Sequence, residues 1–134
     1  MNVSQPDPEE RLSRILRAIN TPNRLRILAA IGTGEACVCH LEALLDLRQA
    51  YISQQLMEMR EADLVDTRRD GRYIFYRLTR PALLNRLIEI GRLFEIPTGE
   101  FEALLNREPL AQCACPDCAA QMKPIPIEEI KTSR

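Results

Sequence analysis

The chain has one histidine, no long apolar run and no excess of positive charge, and each shortage removes a class of function. The histidine, His40, directly follows Cys39, too close along a helix for a comfortable Cys–His catalytic pair. No P-loop and no dinucleotide fingerprint is present, which leaves little sign of an enzyme. No apolar stretch approaches the roughly 18–20 residues needed to cross a bilayer. The opening residues MNVSQPDPEERL are polar and acidic, unlike a secretory signal or transit peptide, so the expected location is the cytoplasm. A net charge of −1 argues against nucleic-acid binding by bulk charge alone. No internal repeat is visible.

What remains is a chain of 134 residues, long enough for one domain with a real core. Its 46% apolar and 28% charged residues are those of an ordinary globular protein. Five cysteines are present. In a reducing compartment, an odd number predicts ligands, sensors or core residues rather than a disulfide framework. They gather at two places, Cys37 and Cys39 in EACVCHLEAL, and Cys113, Cys115 and Cys118 in CACPDC. Charge is uneven as well. Arg68, Arg69, Arg72, Arg77 and Arg80 stand against Asp70 alone between positions 68 and 80.

Apolar residues at helical spacing predict a first helix over Asp7–Ile19. In TPNRLRILAAIG, Thr21 is a plausible N-cap, Pro22 suits the first turn, and Gly32 stops a helix over Pro22–Ile31. A short third helix begins near Cys39 and ends by Leu47. A fourth follows the break at Leu47–Arg48, with Ile52, Leu56 and Met59 on its inner face. Two β-rich segments flanking Asp70-Gly71 predict a hairpin. A helix from Pro81 to Phe94 carries a broad apolar stripe, and one more short helix fits Glu100–Asn106. The expected architecture is mainly α with a β-hairpin wing, a dimeric winged helix-turn-helix. Residues 1–108 would form the DNA-binding and dimerisation domain, and 109–134 a flexible cysteine-containing tail.

In such a fold the start of the fourth helix meets base edges in the major groove. Arg48, Gln49, Tyr51, Ser53, Gln54 and Gln55 are the candidates, since Gln can bridge two atoms of adenine. Arg68, Arg69 and Arg72 at the hairpin would meet phosphates, which fixes position without reading sequence. Taken singly, these Gln- and Arg-rich stretches would be ordinary solvated surface; their order is what favours double-stranded DNA.

The segments TPNRLRIL, ACVCHLEALLDLRQAYISQQLMEMREADLV and RRDGRYIFYRL resemble successive segments of the ArsR/SmtB family of metal- and metalloid-responsive repressors. The resemblance spans roughly residues 10–95. It implies a winged-helix homodimer that leaves a palindromic operator when an inducer binds. It also implies a dimer surface from the first and last helices, here Leu12, Ile15, Leu84, Leu87 and Ile88. The CVC segment is similar to the thiolate site of the arsenic- and cadmium/lead-sensing branches. The arsenic pattern commonly has a third cysteine where this chain has Glu42, the cadmium/lead branch adds cysteines from an N-terminal arm that has none here, and the zinc branch needs a histidine on the last helix, which is absent.

That shortfall directs attention to Cys113, Cys115 and Cys118, whose spacing suits sulfur ligation by a soft ion. The expectation is that Cys37 and Cys39 join tail cysteines around As(III), with Sb(III), Cd, Pb or Zn as alternatives. Residues i and i+2 of a regular helix point about 200° apart. The pair can therefore share an ion only if Cys37 precedes its helix or the first turn is distorted. Three other readings stand beside this one: an ion held by the tail alone with Cys37 and Cys39 as buried residues, oxidant sensing through a helix–tail disulfide, and five incidental cysteines; a thiol enzyme or thiolate metal carrier forms a separate class. His40, a lone polar residue on a short helix, is expected at the surface.

Overall fold

The structure, a computed structural model, describes residues 5–105. The expectations for Cys113, Cys115, Cys118 and the 109–134 tail lie outside the described residues. Among the described residues nine elements follow in order: α1 Pro8–Ala18, α2 Pro22–Ile31, β1 Glu35–Cys37, α3 Val38–Leu45, α4 Gln49–Glu61, β2 Val65–Asp70, β3 Tyr73–Leu78, α5 Ala82–Leu93 and α6 Gly99–Leu105. This is the expected winged helix-turn-helix. β1 is an addition, and it makes the wing a three-stranded antiparallel sheet in the order β1-β3-β2.

Local chemistry sets most of the boundaries. The Thr21 hydroxyl accepts the Arg24 N–H at 3.1 Å, Pro22 opens α2, and Gly32 closes it at φ +66°. That left-handed conformation is cheap only without a Cβ. Asp46 ends α3 at φ 54°, a region Asp tolerates better than most residues. In the hairpin, Asp70 pairs with Tyr73, so the two-residue loop is Gly71-Arg72, one position later than Asp70-Gly71. Gly71 takes φ +60° while Arg72 keeps a negative φ, the pattern of a turn with glycine at its first central position.

The core lies where α2, α3, α4 and the sheet meet. Ile27, Leu28 and Ile31 from α2, Leu41 from α3, and Ile52, Leu56 and Met59 from α4 are all fully buried. Each such side chain stabilises the fold by about 1.5–3 kcal/mol through removal from water.

The outer helices divide their apolar residues between two faces. Leu12 and Ile15 stay exposed on α1, but Leu84 and Ile88 are buried in the protomer's own core and Leu87 is partly buried. Leu84 and Ile88 lie one helical turn apart on the inward side of α5. α5 and the residues just after it expose Ile90, Leu93, Phe94 and Ile96, and α1 exposes Leu16 as well.

Candidate nucleic-acid interface and thiol pair

Helix α4 is held against α2 by a cluster around Arg24, whose side chain is 14% exposed. Its guanidinium pairs with Glu58, donates to the Gln55 side-chain oxygen at 2.7 Å, and donates to the Ala18 carbonyl at 3.1 Å. Nearer the start of α4, Asn23 donates to the Tyr51 hydroxyl at 3.1 Å. Two of the expected base readers, Tyr51 and Gln55, are thus bonded to α2. Arg48, Gln49 and Gln54 are exposed and Ser53 is half-buried. Sequence reasoning missed the Arg24 cluster because its partners lie 31 and 34 residues away along the chain.

The wing arginines separate in a similar way. Arg69 and Arg72 are exposed, with Arg72 over the Tyr73 ring at 5.6 Å. Arg68 is clasped by the Glu35 carboxylate at 2.9–3.1 Å and stacks over Phe75 at 4.6 Å. The Thr67 backbone N–H, and next the Arg77 guanidinium, hold the Asp66 carboxyl below its ordinary range, so the wing keeps this fixed negative charge through neutral pH. For a protein bound to DNA through the wing, Arg72→Ala is expected to lower the salt slope of binding by about one unit per protomer. Titrating affinity against salt measures this, and an unchanged slope would remove Arg72 from the phosphate contacts.

The thiol pair sits where the wing joins the helices. Cys37 ends β1 and caps α3 in an extended conformation, φ −86° and ψ 164°. The 200° splay of a regular helix therefore does not apply, and the Cys37 and Cys39 sulfurs lie 2.7 Å apart. The condition set by the sequence, that Cys37 precede its helix, is met. Both thiols stand at the N-terminal end of α3, the end of a helix whose dipole favours negative charge. Cys37 is 2% exposed and lies opposite Phe75 in the β1–β3 pairing, while Cys39 is half-buried and packs with Tyr73 against this cluster.

His40 is buried at 2% exposure instead of lying on the surface. Among the described residues no three His, Cys, Asp or Glu side chains come together as a metal site. The described residues therefore supply two sulfurs, and a third must come from outside them. Cys37 and Cys39 also line a cleft of about 330 Å³ that they share with Gln49 and Ser53 of α4 and with Arg72 and Tyr73 of the wing. Cys39, the half-buried member of the pair, thus opens onto the same surface as the candidate DNA contacts. No sequence signal carries this, because it depends on β1 pairing with β3.

Comparison with known proteins agrees with this geometry. Residues 21–67, from the cap of α2 into β2, match the family model described as bacterial regulatory protein, arsR family. A biofilm growth-associated repressor of Agrobacterium fabrum is 44% identical over 90 residues, covering 65% of this chain and 76% of that protein. An arsenic resistance transcriptional regulator of Pseudomonas putida is 32% identical over 104 residues, covering 73% of this chain and 80% of that protein. Among solved structures, reduced HlyU from Vibrio cholerae superposes with a TM-score of 0.57 at 29% identity, covering 64% of this chain and 90% of that one. Helix pair, wing and relatives coincide, and the chain belongs to the arsR family of bacterial regulatory proteins.

Proposed function

We propose that this protein is a homodimeric transcriptional repressor of the cytoplasm that holds operator DNA with α4 and the wing and releases it when its thiols are oxidised. The observation that carries this reading is the contact between Cys37 and Cys39 at the junction of β1 and α3, beside the cleft that α4 and the wing share. Oxidation joins two thiols as a disulfide: two electrons pass to a peroxide, which leaves as water with the two thiol protons. The bond joins one sulfur of the pair to Cys113, Cys115 or Cys118. Residues 1–108 bind DNA and dimerise in this reading, and 109–134 carry the other thiols. One feature supports oxidation over arsenite: a solved relative is described in a reduced form.

A second reading keeps the same repressor and changes the inducer. As(III) or Sb(III), or Cd, Pb or Zn, would bind Cys37 and Cys39 with one or more of Cys113, Cys115 and Cys118. The convergence of two sulfurs and the name of the Pseudomonas relative favour it. Either inducer works only by binding or modifying the DNA-free state in preference to the DNA-bound one.

Fluorescence anisotropy on DNA from upstream of the protein's own gene separates these readings. Peroxide is expected to weaken binding about tenfold or more, a coupling of the usual size, with recovery on adding reductant. Serine at whichever of Cys37 and Cys39 forms the bond should abolish the response. Release by arsenite but not by peroxide would establish the metalloid reading. No response to either would overturn thiol sensing, and no retarded DNA would overturn the repressor.

A further inference from the structure

The cleft that holds the thiols is bounded on one side by the start of α4 and on the other by the wing turn. Cys39 is accessible from it, whereas Cys37 is covered by Phe75. Arg72 lines the cleft too, its guanidinium over Tyr73. A nucleophilic sulfur and a cation thus face one opening, between the two elements proposed to straddle a phosphate backbone. We propose that Cys39 is a modification site on the DNA-facing surface that takes an anionic low-molecular-weight disulfide, and that the adduct expels DNA directly by occupying this cleft with negative charge. This deepens the proposed function and rests on its assignment of the DNA-binding face.

The chemistry is thiol–disulfide exchange. Cys39 gives its proton to solvent, and its thiolate attacks one sulfur of the incoming disulfide. A new bond forms to that sulfur, the original S–S bond breaks, and the second half leaves as a thiolate. The incoming disulfide is the oxidant. The retained anionic group falls beside Arg72, cancels a wing cation and repels phosphate. By linkage, bound operator DNA must shield Cys39 from the same reagents.

The test uses the full chain with Cys113, Cys115 and Cys118 replaced by serine, so that labelling falls on the helix pair and is located by peptide mass spectrometry. Sulfonatoethyl and trimethylammonioethyl methanethiosulfonate place groups of similar size and opposite charge on sulfur, releasing methanesulfinate. The sulfonate adduct on Cys39 should bind operator DNA about tenfold more weakly than the ammonium adduct, with the gap closing as salt is added. Operator DNA should also slow labelling, and Cys39→Ser in the same background should remove both reagent effects.

Equal affinities for the two adducts would overturn the proposal, because a site more than about a Debye length (~8 Å) from phosphate does not sense charge sign. Failure of either reagent to label Cys39 would overturn it as well. If the unlabelled variant binds DNA and peroxide releases the wild type while the adducts behave alike, only this inference fails. If the unlabelled protein binds no operator, the repressor reading fails first.

Discussion

Arg24→Ala is expected to lower the unfolding free energy by about 2 kcal/mol and to weaken operator binding at the same time. The side chain joins three groups from two directions: the Glu58 carboxylate, the Gln55 amide oxygen and the Ala18 carbonyl. An exposed ion pair alone would contribute little. Here the guanidinium is largely covered, at 14% exposure, while Glu58 is 44% exposed. The loss is therefore mainly that of hydrogen bonds donated by a covered guanidinium, with the ion pair a lesser part. Binding suffers for a geometric reason, since the same bonds fix the rotation of α4 relative to α2. Arg24→Lys should recover only part of either loss, because one ammonium cannot reproduce the guanidinium fork. Urea titration with an unchanged m-value measures the stability, and anisotropy measures the binding. A loss of stability without any loss of operator affinity would show that α4 is oriented by its apolar face alone.

The same contrast between local and distant determinants separates what the sequence showed from what it concealed. α2 was readable to the residue because Thr21 and Pro22 act within its first turn and Gly32 directly after its last. The inner face of α4 was readable because Ile52, Leu56 and Met59 repeat at the helical period. β1 was not. Three residues carry no period, and Glu35–Cys37 is a strand only because β3 offers it a partner. Arg68 was recognisably basic, but its clasp by Glu35 joins residues 33 apart. The stripe on α5 read as one surface, because which of its residues turn inward depends on neighbours that the stripe does not name. At the thiols the helical geometry gave a correct condition, that Cys37 precede the helix. It gave no hint that the pair would share a cleft with Gln49 and Arg72.

Phe75→Ala should be the most damaging single change near the site, costing about 3–5 kcal/mol. Phe75 is 1% exposed, lies opposite Cys37 in the strand pairing and carries the Arg68 guanidinium on its ring. Truncation opens a cavity under β1 and removes the stacking partner of Arg68, itself worth about 0.5–1 kcal/mol at such a site. It also uncovers Cys37. Alkylation of Cys37 by iodoacetamide under native conditions should therefore rise from negligible to a rate near that of Cys39. Phe75→Leu separates the two effects. It keeps an apolar cover over the sulfur and should cost less than Phe75→Ala, while still losing the cation–π contact. Thermal unfolding followed by circular dichroism gives the first quantity, and timed alkylation with mass spectrometry gives the second. If Phe75→Ala were to leave Cys37 as unreactive as in the wild type, its protection would have to come from β1 and α3, and the wing would lose its role as the cover of the thiol pair.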